Sequence, residues 1–208
     1  MLVTERLLES PSSLCANGRS DVSLKKGMIV RNKNILITGL PGTGKTTLLR
    51  KVAEELKPLH PAGFFTLEIR ETNIRKGFEM VSLSGEKGLL AHVNLASPYQ
   101  VGRYRVDVKG FEAFLRAIPL LGASVSLIII DEIGKMECFS EMFRGLVGKI
   151  LDSDKVVLAT IALKGDGFIE GIKKRNDVRL IELVESRRET LVDEIAEEIK
   201  NLFAQGKL

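Results

Sequence analysis

The sequence predicts an α/β fold of three layers: a mainly parallel β-sheet between two sets of helices, with a small antiparallel β insert. Three observations carry this reading. The apolar run Ile35, Leu36, Ile37 leads through Thr38 into a glycine-rich turn and then into a helix-forming stretch. Leu127, Ile128, Ile129 and Ile130 stand in a row without alternation, which suits a central parallel strand covered on both faces. Beyond them, helical and extended segments alternate to the C-terminus, the pattern of right-handed crossovers in a parallel sheet.

Residues 1–27 carry turn chemistry around Pro11 and around Asn17 with Gly18, without sustained periodicity. They are expected to form a poorly ordered extension with a short helix over residues 3–8, and Met28 is a candidate physiological start. The domain proper is then 28–208. Its first strand ends in Gly39, Leu40, Pro41, Gly42, Thr43, Gly44, Lys45, Thr46 and Thr47, the G-x-x-x-x-G-K-T spacing. The helix that follows places Leu48, Leu49, Val52, Ala53 and Leu56 on one stripe and stops before Pro58. Residues 63–70, rich in aromatic and β-branched side chains, read as a strand.

Short β segments over 77–82, 89–95 and 104–108, separated by Gly, Ser and Asn, form the antiparallel insert flanking the main sheet. Residues 111–121 read as the helix leading into the aliphatic strand. Another helix carries Phe139, Met142, Phe143, Leu146, Val147, Ile150 and Leu151 at helical spacing, as core residues. A strand over 155–161, a short helix over 168–174, a strand over 178–183 and a final helix over 187–203 complete the order.

Two of these segments carry chemistry. The glycines of the first turn let successive backbone N–H groups point inward and form a cradle for anionic oxygens. The positive end of the following helix dipole adds to the same spot. Lys45 then reaches the β/γ-phosphates of a bound nucleotide, and the Thr46 hydroxyl ligates Mg²⁺. The aliphatic strand ends in Asp131 and Glu132. Asp131 emerges at the carboxyl end of its strand, where open α/β sheets bind ligands, and supports the Mg²⁺ shell. Glu132 is placed to orient or deprotonate a water. An acidic Asp-Glu pair favours hydrolysis over transfer to a second substrate.

Composition narrows the classes. At 208 residues, 44% hydrophobic and 28% charged, the chain has the make-up of an ordinary soluble domain that buries a core without staples. Its +4 net charge is scattered, so nucleic-acid binding is permitted but not indicated. Cys15 and Cys138 lack metal-ligand spacing and point to free thiols in a reduced, cytoplasmic setting, with Cys138 filling space. No stretch approaches the ~18 apolar residues of a membrane span, and the N-terminus lacks a signal-peptide core. His60 and His92 are isolated and read as surface residues.

Four motifs together carry a resemblance: Gly39 to Thr47; Gly63, Phe64, Phe65 and Thr66 with Arg70; Val101, Gly102, Arg103 and Tyr104; and the seven residues from Asp131 to Glu137. The chain resembles the nucleoside-triphosphatases first described from thermophiles, a family that includes the animal cancer-related nucleoside triphosphatase. The resemblance runs from about Met28 to the C-terminus and is most specific over 131–137. It implies a P-loop fold similar to RecA-like proteins. It also implies slow, Mg²⁺-dependent hydrolysis of ATP, GTP, CTP and UTP to the diphosphate, with little base selectivity. By the same resemblance Lys45 and Thr46 bind phosphate and metal, Asp131 supports Mg²⁺, and Glu132 is the base. The chain departs from the family pattern at Leu67, where a first glutamate is usual, and at Ser186, where asparagine is usual.

Further candidates each have two readings. Arg103 and Arg105 flank Tyr104; one, with Arg103 the candidate, acts in cis as an arginine finger, or both are solvated strand-edge residues. Thr160 senses γ-phosphate or holds the water, or makes a strand-end hydrogen bond. Arg70 reaches phosphate or pairs with an acid; Lys135 reaches the site or neutralises Glu132 or Glu137 at the surface. Two rival functions use the same core: a nucleotide or small-molecule kinase with an acceptor pocket over 70–108, and a nucleic-acid-linked ATPase. A monomer is favoured.

Overall fold

The computed structural model describes residues 32–204. The expectations for residues 1–27, for Met28 and for Cys15 fall outside the described residues. In chain order the elements begin with β1 (Asn34–Thr38), α1 (Lys45–Glu55), β2 (Ala62–Glu71), β3 (Ile74–Ser82), β4 (Lys87–His92), β5 (Gln100–Val101) and β6 (Tyr104–Val106). They continue with α2 (Val108–Ala117), β7 (Leu127–Ile133), α3 (Glu141–Asp152), β8 (Val156–Ile161), α4 (Gly167–Lys173), β9 (Val178–Glu182) and α5 (Arg188–Ala204).

The strands form one nine-stranded sheet in the order β5-β6-β4-β3-β2-β7-β8-β1-β9. The five strands from β2 to β9 in that order run parallel to one another. β7 explains its unbroken aliphatic run by alternation between two cores. Ile128 and Ile130 face the layer built with Phe111 and Phe114 of α2, Phe143 and Val147 of α3, and Ile169 of α4. Leu127 and Ile129 face the layer built with Leu48, Leu49 and Val52 of α1 and Leu191, Ile195 and Ile199 of α5. Each such side chain removed from water stabilises the fold by about 1.5–3 kcal/mol.

The antiparallel strands differ from expectation in one respect: they extend the main sheet and do not flank it. The ten-residue β2 pairs with β7 only over Ala62, Gly63 and Phe64. Its outer part runs past that partner and pairs with β3, which carries β4 and β6 in turn. The result is a hairpin projecting beyond the parallel strands on the side of the glycine-rich turn.

Some boundaries also shift, for local reasons. α2 stops at Ala117, four residues before the expected 121, because Pro119 forces Ile118 into extended geometry (φ −103°, ψ 123°). β6 ends at Val106 because Asp107 caps α2, accepting from the Gly110 amide at 2.9 Å. Ser140 caps α3, accepting from the Phe143 amide at 3.0 Å, so Phe139 falls in a preceding 3₁₀ turn (Glu137–Phe139). Cys138, in the same turn, is buried in the core as a space-filling thiol, its pKa pushed up to about 12 by burial.

Candidate active site

β1 is buried along its whole length and delivers its last residue, Thr38, to the carboxyl edge of the parallel sheet. The chain then turns through Gly39–Gly44 into α1. Gly44 sits at φ 89°, a left-handed conformation, and a Cβ there would also stand 2.8 Å from Arg188 Nη1. It caps α1 without a side-chain hydrogen bond, so the first N–H groups of the helix stay available to an anion. Thr43 closes the turn, its hydroxyl donating to the Leu40 carbonyl at 2.9 Å. Lys45 arches back over the loop, with Nζ donating to the carbonyls of Gly39 at 3.0 Å and Leu40 at 3.2 Å.

Facing this loop is the end of β7, two strands away. Asp131 is 2% exposed. Its Oδ1 accepts from the Thr160 hydroxyl of β8 at 2.7 Å, and its backbone carbonyl accepts from the Thr66 hydroxyl of β2 at 2.6 Å. Among the described residues its Oδ2 has no hydrogen-bond partner. Burial pushes the Asp131 carboxyl up, while the Thr160 and Thr46 hydroxyls and the charge of Lys45 pull it back. Glu132 is half-buried and also raised, by burial and by Asp131, against Lys45. The loop, both acids, Thr66, and Ala162 to Lys164 after β8 line one cleft of about 900 Å³.

The donor set fits a small, hard divalent cation. An orphaned, buried carboxylate oxygen beside a threonine hydroxyl is suited to an oxygen-preferring ion that keeps part of its own water shell. No group of three His, Cys, Asp or Glu is gathered to hold a metal alone among the described residues. Thr46 and Asp131 would therefore share the ion with oxygens of a bound phosphate.

Glu137 corrects one expectation. It lies inside the protein, 4% exposed, and not at the surface where Lys135 could neutralise it. Its Oε2 stands 2.8 Å from where a Cβ on Gly134 would sit, so the absence of that side chain makes room for it. Burial, then the neighbouring Glu132 charge, raises its pKa from 4.5 to about 8, against the amides of Glu137 and Gly134. A carboxyl raised on folding contributes stability that is full below its unfolded pKa near 4.5 and is lost as the pH rises through about 8. Glu137→Gln, which cannot ionise, should therefore melt above the parent chain at pH values beyond 8 and approach it near 4.5. The gap is expected to be on the order of a few kcal/mol. Thermal melts of the nucleotide-free proteins check this; parallel curves across the window would refute it.

Other predicted residues fall on both sides of the cleft boundary. Thr160 makes the hydrogen bond to Asp131 and so belongs to the site through that acid. Lys135 is an exposed lining residue. Arg103 is not brought into the lining: its Nη2 donates to the Arg75 carbonyl at 2.6 Å and its guanidinium lies over the Tyr104 ring. Arg105 donates to the Ser97 carbonyl, and Arg70 pairs with Glu68 at 2.5 Å. His60 is exposed. Among the lining residues that the sequence reading left without a role are Thr66 and Arg75. Thr66 appeared only inside a motif, without a role. Arg75 had no motif at all; only its register opposite Arg70 in the β2–β3 hairpin could have pointed to it.

A parallel α/β sheet with a lysine-bearing glycine loop and paired acids at its carboxyl edge defines a P-loop protein of the nucleoside-triphosphatase class. The comparisons agree with this assignment. A family model described as NTPase matches residues 34–196. The chain therefore belongs to this nucleoside-triphosphatase family. It is 48% identical over 174 residues to nucleoside-triphosphatase THEP1 of Thermotoga sp. (strain RQ2), covering 83% of this chain and 98% of that one. It is 37% identical over 181 residues to the human cancer-related nucleoside-triphosphatase, covering 78% and 94%. The crystal structure of THEP1 from the hyperthermophile Aquifex aeolicus superposes with a TM-score of 0.71 at 36% identity, covering 78% of this chain and 96% of that one.

Proposed function

We propose that the chain hydrolyses nucleoside triphosphates to diphosphate and phosphate in the P-loop cleft, slowly, with Mg²⁺ and with little preference among bases. The single observation that carries this reading is the meeting of Lys45 and the loop with Asp131 and Glu132 in one cleft. The loop amides and Lys45 would hold the β- and γ-phosphate oxygens. Thr46 and Asp131 would hold Mg²⁺, which when bound offsets charge on those oxygens. Glu132 would orient a water in line with the γ-phosphorus and take its proton. The new oxygen–phosphorus bond forms as the bond to the β–γ bridging oxygen breaks, and the diphosphate leaves with that electron pair. Lys45 and the amides would stabilise the charge that builds there.

Broad base use follows from a site built around the triphosphate, which every nucleotide shares. Slow turnover is in keeping with arginines that are held by protein groups, Arg103 by the Arg75 carbonyl and Arg75 by Glu68, since a fully engaged finger adds ~10³–10⁵ in rate. We place the chain in the cytoplasm, in keeping with the buried free thiol of Cys138, and read it as a monomer. No helix of the described residues is long and apolar enough to cross a membrane.

Phosphate release from ATP, GTP, CTP and UTP with Mg²⁺ tests the proposal. Slow release from all four, abolished by a chelator, is expected. Release from one nucleotide alone would overturn the breadth of the reading. Transfer to an added acceptor in place of release would make the chain a kinase.

A further inference from the structure

We infer that Arg75 is the arginine of this reaction, a finger supplied in cis from the β2–β3 hairpin. The inference rests on the P-loop cleft being the hydrolytic site. Its first support is position. The Thr66 hydroxyl bond to the Asp131 carbonyl sets β2 level with the end of β7. Glu68 stands two residues farther along β2, on the same face and ~7 Å onward at strand rise. The Arg75 guanidinium is bound to Glu68 and lines the same cleft as Lys45, Asp131 and Glu132. It thus stands in the cleft that the phosphate loop and both acids also line, beyond the carboxyl end of β7, within the space a triphosphate held by Lys45 would enter.

The second support is how the side chain is held. Nε donates to the Tyr104 hydroxyl at 2.9 Å, and Nη1 pairs with Glu68 Oε1 at 2.5 Å. The guanidinium lies over the rings of Phe78, at 5.3 Å, and Tyr104, at 5.6 Å. Such packing fixes the plane of the fork and lowers the entropy lost when it grips a phosphate. Arg103 supports the arrangement from behind, through its bond to the Arg75 carbonyl. Among the described residues both N–H groups of Nη2 and one of Nη1 have no partner. Three donors in a planar fork match the oxygens of a phosphoryl group.

The third support is a ready exchange. Glu68 also accepts from Arg70 Nε at 2.7 Å, so it keeps a cation when Arg75 turns to phosphate. The ground state leaves Arg75 with Glu68, and only rising charge on the γ-phosphoryl oxygens competes for it. An interaction that strengthens in the transition state raises kcat and leaves substrate affinity nearly alone. The other lining cations beyond the loop, Lys135 and Lys164, are exposed and lack such a fixed plane.

Arg75→Ala, Arg75→Lys and Glu132→Gln should be compared for Mg-ATP affinity, kcat, and capture of ADP with aluminium fluoride, a mimic of the transferring phosphoryl group. Arg75→Ala is expected to bind Mg-ATP like the parent chain, lose ~10²–10³ in kcat, and fail to capture ADP–aluminium fluoride. Arg75→Lys should recover little, because an ammonium lacks the fork; it also decides the matter if the alanine variant does not fold. A kcat and capture equal to the parent in whichever variant folds would overturn the inference. Glu132→Gln keeps the two failures apart. If it is inactive while the Arg75 variants turn over normally, only the finger is wrong; if it is fully active, the hydrolytic site itself is misplaced.

Discussion

Glu132→Gln should bind Mg-ATP about as well as the parent chain and yet lose ~10²–10⁴ in turnover, the range a positioned general base supplies. The substitution keeps the shape and polarity of the side chain and removes its ability to accept a proton. The environment supports a base and not merely a structural acid. The Glu132 carboxyl is half-buried in the cleft and raised by burial and by Asp131, with Lys45 opposing. Among the described residues no side chain is hydrogen-bonded to its carboxylate, which leaves it available to a water. Asp131, in contrast, is anchored through Thr160, and its backbone through Thr66. Steady-state phosphate release with calorimetric binding separates the two effects. Full turnover in the glutamine variant would remove Glu132 as the essential base.

Lys45→Ala should weaken Mg-nucleotide binding by ~10²-fold or more, since a hydrogen bond from a charged group contributes ~1.5–3 kcal/mol and Lys45 can make two. Among the described residues its Nζ bonds only the carbonyls of Gly39 and Leu40, both of the loop itself. Removing it therefore breaks no contact of either core, and the fold should hold. Calorimetry with Mg-ATP measures the loss, and a circular dichroism melt confirms the fold. Parent-like affinity would count against the loop as the phosphate cradle.

These two residues could be singled out as candidates because the pattern that marks them is written in adjacent positions. Glycines at Gly39, Gly42 and Gly44 all take positive φ in the structure, as a backbone cradle between strand and helix needs. The aliphatic run ahead of Asp131 announces a strand covered on both sides, and the two cores cover it. The acidic pair then falls at the strand's carboxyl end by simple order along the chain. The helix stripe from Leu48 to Leu56 and that of α3 were equally readable, since a period of 3.6 residues is a local property.

Arg75 and Glu137 were not legible, for a common reason. Arg103 stands in a motif and is a candidate finger beside the reading of a solvated strand-edge residue; the hairpin turns it onto the Arg75 carbonyl and leaves Arg75 facing the cleft. That outcome depends on antiparallel register and on the irregularity between Ile69 and Arg70. Glu137 looks like a surface acid in a charged segment, yet the tight turn after β7 folds it inward against Gly134. By itself the sequence determined the α/β class, the phosphate loop and the acidic strand end, because glycine conformation, helix period and strand burial act over neighbouring residues. Only the tertiary structure decided which side chains share the cleft and which acid is buried, because pairings such as Thr66 with Asp131 and Arg75 with Glu68 and Tyr104 are set by strand register and turns between segments far apart or folded back on themselves.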